Sequence, residues 1–466
     1  MKKIRIDAIA FIVILGGLLV ANFLNFEKDT VSALENRMLK SKPEFTIESL
    51  FNGSYFRDYE DFYSDTFIKR DNMVMASRDI RDALSLGEPG VTLVITHESG
   101  ENINTGEQTP DPTPTPSAEP IPAQTENPAT ETPAQSENPG PEPTQEATPE
   151  PTPTPTPEPT QPPKEFGEED TVGYYLIIDG KAVQLFKFNR EGIDYYTDVL
   201  NQYHEVLGED KTIYSMIAPT AGEFAILRRY SDITDSQNDA MDYLYSRLDP
   251  GIIPVNVYDE LNKNKDEYIY FRTDHHWTAL GAYYGYRAFA ESAGFDPVSL
   301  ERYETVQIEG YLGSSYTKTL NKDLLKNPDT IELYLPFTEY EYTMYYRYST
   351  TDAEIIDLSY AEGDRDKYLI FMSTGGATWS VIKTDVNNGR KILVMKDSFG
   401  NAWVPFLLPH YEEIYVVDAR FYNQDVTGLN IPEFMDEYDI SELVFMFYME
   451  DVNWTTFMNN VENHLK

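Results

Sequence analysis

The chain has 466 residues, a formal net charge of −41, no cysteine and 30 prolines. Its length suggests two or three domains. Its acidity argues against nucleic-acid binding through phosphate neutralisation, and the lack of cysteine excludes disulfides, thiolate metal sites and a cysteine nucleophile.

Lys2, Lys3 and Arg5 precede an apolar run from Ala8 to Phe26, broken only by Asn22 and Asn25. At the helical rise such a run spans about 28 Å, one hydrocarbon thickness. Residues 1–26 therefore predict a single-pass membrane helix with a cytoplasmic N-terminus and an extracellular body. A cleaved signal peptide, giving a secreted body, would show the same basic flank and apolar core. Residues 27–100 form a mostly helical N-terminal part, with Phe56, Tyr59, Phe62, Tyr63 and Phe67 at helical spacing. Val91–Thr96 reads as a strand.

Residues 101–166 are a Pro/Thr/Glu-rich insertion; 101–163 alone hold 19 prolines, 11 acidic residues and no Lys or Arg. Such a composition cannot bury a core and predicts a disordered, solvated segment. It fits a wall-spanning or glycosylated stalk. It fits equally an insertion in a surface loop, since closure entropy grows slowly with length.

Residues 167–466 form the main domain, where strand and helix signals alternate. Strands are predicted at Tyr174–Ile178, Lys211–Ala218, Ile252–Tyr258, Glu267–Phe271, Arg390–Met395, Glu413–Asp418 and Ser441–Met446. Helices are predicted at 190–207, 236–247 and Trp277–Ser292. This order predicts an α/β layered fold with a mainly parallel sheet. Residues 301–375 break the alternation; they are Tyr-rich and hairpin-like, and read as an insertion near the site. Their tyrosines suit sugar stacking or ordinary half-buried strands.

Two segments could carry chemistry. Arg272-Thr273-Asp274-His275-His276-Trp277 places a carboxylate two residues from an imidazole, just past a predicted strand. A carboxylate there can fix the tautomer and favour the imidazolium. Lys396-Asp397-Ser398-Phe399-Gly400-Asn401 follows another strand and opens a turn. A hydroxyl there can act as a nucleophile if a histidine reaches it, but a serine after a strand also serves as a helix N-cap. Both segments fall at predicted C-terminal strand ends, where open α/β sheets place their sites. Asp274, His275 and His276 could instead ligate a metal, but adjacent histidines diverge and suit one ion poorly. The expectation is no metal.

Arg272–Thr278 (RTDHHWT) and Val394–Asn401 (VMKDSFGN) resemble the DHHW protein family, which is similar to alginate O-acetylation proteins of the SGNH hydrolase-like superfamily. Glu35-Asn36-Arg37, Asp65–Arg70 (DTFIKR), Tyr175–Lys181, Ala218-Pro219-Thr220 and Asp418-Ala419-Arg420 agree with it. The resemblance implies an SGNH hydrolase-like three-layer α/β/α fold and a Ser-His-Asp triad. Asp274 would be the orienting acid, His276 the general base and Ser398 the nucleophile, with the Ser398 backbone N–H in the oxyanion hole. His275, Arg272 and Arg420 are candidates for substrate contact. The sequence departs from the family in having Lys396-Asp397-Ser398 where a Gly-Asp-Ser block is expected, which leaves the second oxyanion donor open. The implied activity is O-acetyl transfer to a cell-surface or secreted polysaccharide, with no tightly bound cofactor. The acetyl group would come from a membrane-associated donor, through a multi-pass O-acyltransferase partner. An acetyl esterase using the same triad and a non-catalytic scaffold are the alternatives.

Overall fold

The computed structural model describes residues 172–466 apart from 226–232, 363–365, 373–375 and 422–427, together with 54–74, 91–97 and scattered positions between 16 and 76. Its centre is an eight-stranded sheet. The strands are β1 (Thr212–Ala218), β2 (Ile252–Val255), β3 (Tyr340–Tyr345), β4 (Thr350–Asp352), β5 (Trp379–Thr384), β6 (Lys391–Lys396), β7 (Glu413–Asp418) and β8 (Glu442–Tyr448). They lie in the order β4-β3-β5-β7-β6-β8-β1-β2. The five from β7 to β2 are mutually parallel. The other three join as an antiparallel edge.

The parallel strands read as nearly unbroken apolar runs because both faces are covered. On β6, Ile392 and Val394 face one core, while Leu393 and Met395 face the other. The first core includes α4 (Ala279–Ala293); the second includes α1 (Arg190–Leu207), α5 (Ile431–Glu437) and α6 (Thr455–Asn463). Two shorter helices, α2 (Gln237–Tyr245) and α3 (Val257–Lys263), follow β1 and β2. Glycine lets α4 approach closely. A Cβ on Gly281 would sit 2.3 Å from the Ile269 carbonyl oxygen. Thr278 caps the helix by accepting the Gly281 N–H, and Gly294 closes it in the left-handed conformation.

Three sequence expectations need correction. Glu267–Phe271 is not a strand of the sheet. It folds back on the residues after it, with one β-bridge between Tyr270 and Trp277 and a bond from the Thr278 N–H to the Ile269 carbonyl. Its aromatic run reflects burial in a loop rather than sheet pairing. For the same reason α4 starts two residues later than expected, because Trp277 belongs to that bridge. The strand at Ile252 ends at Val255, since Asn256 caps α3 by accepting the Asp259 N–H.

The expected span at Ala8–Phe26 and the tract at 101–166 lie almost wholly outside the described residues. Among the described residues no helix is long and apolar enough to cross a membrane. The described N-terminal part includes one helix, Ser54–Asp65. The flanks of the tract are informative. Val91–His97 and Val172–Ile178 pair antiparallel in unbroken register from Val91↔Ile178 to His97↔Val172. The tract therefore joins the ends of two neighbouring strands, as an insertion in a loop does.

Residues 301–375 form a hairpin of Glu304–Tyr311 with Asp329–Leu335, then β3 and β4. Tyr311 of that hairpin reaches Asp274, and Tyr368 reaches the Ser398 carbonyl just beyond β6.

Candidate active site

The segment 272–277 is held as a rigid loop. Asp329, fully buried, accepts from the Arg272 and Thr273 backbone N–H groups, the Thr273 hydroxyl, the Arg272 guanidinium and the Tyr268 hydroxyl. The Thr273 carbonyl accepts from Tyr316 N–H, and its hydroxyl accepts from Gly313 N–H. This places Asp274, His275 and His276 between the sheet and the 304–335 hairpin.

The second piece is the turn after β6. Asp397, fully buried, accepts from Phe399 N–H at 2.7 Å and Tyr448 N–H at 2.6 Å. The turn is thus tied to the end of β8, and Asp397 rather than Ser398 caps it. The Trp277 indole donates to the Phe399 carbonyl at 3.0 Å, pinning the turn to the histidine loop. A Cβ on Gly400 would meet the Lys396 side chain at 2.5 Å, so the turn packs against its own strand.

These constraints bring three side chains into one line. His276 Nε2 lies 2.7 Å from Ser398 Oγ, and His276 Nδ1 lies 2.5 Å from Asp274 Oδ1. Asp274 also accepts from His276 N–H on Oδ1, and from the Tyr311 hydroxyl and Ser314 N–H on Oδ2 at 2.8 and 2.7 Å. Four donors fill the capacity of a carboxylate. Burial alone would raise the Asp274 pKa. The charges of His276 and His275 and the bonds from His276 outweigh it and hold the carboxyl well below the usual range.

The His276 ring lies between two others. Tyr368 stacks on one face at 3.8 Å and 7°, and His275 covers the other at 3.8 Å. The Tyr368 hydroxyl donates to the Ser398 carbonyl at 3.1 Å. His275 Nδ1 lies 2.5 Å from Ser314 Oγ. Burial, then the charge of His276, pushes the His275 pKa well below its ordinary value. Near Tyr311, burial and then the charge of Asp274 raise the Asp366 carboxyl to about 6.

Arg272 and Arg420 are both engaged in ion pairs, and the charge of Arg420 reaches His275. Arg272 bonds Asp329, Asn327 and the Pro328 carbonyl. Arg420 forms a bidentate pair with Asp418, at 2.9 and 2.7 Å. Lys396, fully buried, bonds the same Asp418 and Asn401. Burial and then the Asp397 charge push the Asp451 carboxyl well up. A packed charge cluster thus lies behind the serine turn.

Sequence reasoning missed Tyr311, Gly313, Ser314, Tyr368 and Asp366. No spacing pattern links them to Asp274. The tyrosine richness of 301–375 was the available signal. Asp274, His275 and His276 have ligand atoms within 4.8 Å of one another. A cation held by His276 would have to take a nitrogen that now faces Asp274 or Ser398.

A family model for DHHW protein matches residues 162–417. A solved DHHW family protein from Eubacterium siraeum is 31% identical, with TM-score 0.57 over 62% of this chain and 95% of that one. Bacillus cereus PatB1 is 19% identical, with TM-score 0.52 over 61% of this chain and 99% of that one, and a structure of it with a sulfonyl adduct matches equally. No curated protein matches.

Proposed function

The chain belongs to the DHHW protein family, and on that footing we propose that it is an extracytoplasmic O-acetyltransferase acting on a polysaccharide. The reading rests on the continuous hydrogen-bonded line from Asp274 through His276 to Ser398. A scaffold has no need for a hydroxyl, an imidazole and a four-bonded carboxylate in line. The motif resemblance to alginate O-acetylation proteins supports the transfer chemistry, and the fold suits the SGNH hydrolase-like three-layer class.

In the proposed reaction Ser398 Oγ attacks the carbonyl carbon of an acetyl donor while His276 Nε2 takes the hydroxyl proton. Asp274 keeps the proton on Nδ1 and stabilises the imidazolium. The oxyanion is met by the Ser398 backbone N–H, which has no hydrogen-bond partner among the described residues. The intermediate collapses with loss of the donor's leaving group, which takes the proton from His276. An acetyl-serine remains. A sugar hydroxyl then attacks it, His276 removes that proton, and Ser398 leaves with the proton returned. Water as acceptor would make the same site an esterase. The donor is membrane-associated, delivered by a multi-pass acyltransferase partner, and the chain is held at the outer membrane face by residues 1–26. No tightly bound cofactor takes part.

The test is intact-mass analysis of the chain after exposure to p-nitrophenyl acetate, with Ser398→Ala and His276→Ala alongside. An acetyl adduct mapped to Ser398, discharged faster by oligosaccharides than by water, is the expected result. Water discharge unaffected by sugars would make it an esterase. Equal behaviour of wild type and both variants would return the chain to a scaffold role.

A further inference from the structure

We propose that the pocket over β5 is a second glycan-binding site, built for an uncharged polysaccharide chain. This rests on the acceptor class proposed above and deepens it. The pocket has a volume of about 290 Å³ and is lined by Tyr345, Trp379, Tyr415 and Tyr438 with Lys383, Lys391, Glu413, Glu437 and Asp439 at its rim.

Its aromatic surface is built rather than scattered. Tyr345 and Trp379 are cross-strand partners whose rings stack at 3.8 Å and 6°. Tyr438 and Phe434 pack on the indole from the other helix-bearing side, at 5.6 and 5.1 Å. Among the described residues no second ring covers Tyr345. Three residues on, at the tip of the same hairpin, Tyr348 is 87% exposed with the Arg347 guanidinium over its ring. Flat rings beside fixed polar groups are what a sugar needs: apolar faces stack and hydroxyls bond.

The polar groups are fixed. Glu413 accepts from the Tyr415 hydroxyl at 2.6 Å and pairs with Lys391 at 3.1 Å and Lys383 at 3.7 Å. Lys391 also donates to the Tyr438 carbonyl at 3.0 Å. Asp439 has φ 55°, a conformation that favours glycine, yet it places a carboxylate at the rim. Three carboxylates against two ammonium groups, on a chain of net charge −41, disfavour a polyanion and leave hydroxyls as the matching chemistry.

Position separates the pocket from the serine. Val381 and Tyr415 face the core containing α5, whereas Trp277 and Phe399 face the opposite core. The two places are therefore on different faces of the sheet. Trp379 lies at the end of β5 nearest the C-terminal ends of the parallel strands, whereas Lys383, Lys391 and Glu413 pair at the N-terminal ends of β6 and β7, so the pocket runs along the strands away from Ser398. β5 is two strands from β6, a lateral step of about 10 Å. A single sugar therefore reaches one place only, and the pocket would hold a stretch of polymer remote from the stretch at Ser398.

The test is native affinity electrophoresis of the full-length chain in gels containing hydroxyethylcellulose, glycol chitin or mannan, with carboxymethylcellulose as the anionic control. At least one uncharged polymer is expected to retard the wild type, and the anionic one not. Tyr345→Ala should weaken that retardation about tenfold, the worth of one aromatic contact. The exposed double change Glu437→Gln with Asp439→Asn should weaken it less, and guards against misfolding as the cause. Both variants should cleave p-nitrophenyl acetate as the wild type does, while Ser398→Ala should bind polymer normally. Retardation unchanged in both pocket variants overturns the proposal, as does a wild type retarded by none of the uncharged polymers. A chain that binds polymer through the pocket but forms no acyl-serine would break the catalytic reading and leave this one standing.

Discussion

The parallel half of the sheet and the 301–375 segment contribute to the same site in different ways. The parallel half supplies the Ser398 turn, with α4 and its preceding loop supplying His276. These are short-range products of strand ends and caps. The 301–375 segment supplies Tyr311 and Ser314 to Asp274, and Tyr368 to the His276 ring. It adds no member to the Asp-His-Ser line but contacts all three, Tyr368 also donating to the Ser398 carbonyl. The reacting atoms and the groups that hold them thus come from different stretches of the chain that share one sheet and one core, meeting at one buried carboxylate.

The sharpest way to test this division is to remove a member of the line. Ser398→Ala and His276→Ala should each lower p-nitrophenyl acetate turnover by at least about 10³-fold, the usual scale for a triad member. Thermal unfolding should change little for Ser398→Ala, because the turn is capped by Asp397 and pinned by Trp277. If the 301–375 segment only packs, nothing in it should approach that loss. Gly313→Ala should come nearest. A Cβ there would lie 2.3 Å from Asp274 Cβ and Oδ2, so the hairpin or the carboxylate must move. A misplacement of that kind costs roughly 10²-fold in rate, and overpacking costs about 1–3 kcal/mol of stability. Gly310 is the control for the stability part: it has a positive φ but nothing within 4 Å of its Cβ position, so alanine there strains the backbone without touching Asp274.

The sequence made the first region readable and not the second. Apolar, β-branched runs such as Ile392–Met395 and Leu443–Phe447, set in an alternating strand-helix order, read as covered strands, and the Asp274–His276 spacing carries its own chemistry. Residues 301–375 were foreseen as a hairpin-like insertion without the pairing of β3 and β4 to the main sheet, and the antiparallel strand β5 was not foreseen. Their partners lie far along the chain, 37 residues in the case of Tyr311 and Asp274, and no local period encodes that. The Glu267–Phe271 error has the same root. A run of Tyr, Ile and Phe looks alike whether a strand or a packed loop buries it. The expected membrane span at Ala8–Phe26 and the Pro/Thr/Glu tract are readings of composition alone, and both lie almost wholly outside the described residues.

A smaller effect sharpens the comparison. Tyr311→Phe removes one of four bonds to Asp274 while keeping the ring against Phe271. A hydrogen bond to a charged group is worth about 1.5–3 kcal/mol, so turnover should fall about tenfold or more through kcat, with KM for the small ester unchanged. A loss confined to melting temperature would make Tyr311 a packing residue.

The smallest expected effect concerns Asp366, which bonds Tyr368 N–H at 3.0 Å and lies 3.4 Å from the Tyr311 hydroxyl. Burial and then the Asp274 charge raise its carboxyl to about 6. A folded-state value above the unfolded one of about 3.9 means that folding favours the protonated form. Its contribution to stability is full below the unfolded value and is lost as pH rises through 6. Asparagine keeps the neutral shape and still accepts from Tyr368 N–H. Asp366→Asn should therefore melt above wild type at pH 7, with the gap closing toward pH 4. Melting curves at intervals across that range check it. A gap that stays constant with pH would mean that Asp366 is ionised throughout. The 301–375 segment would then carry a permanent second negative charge beside Asp274 rather than a neutral clamp.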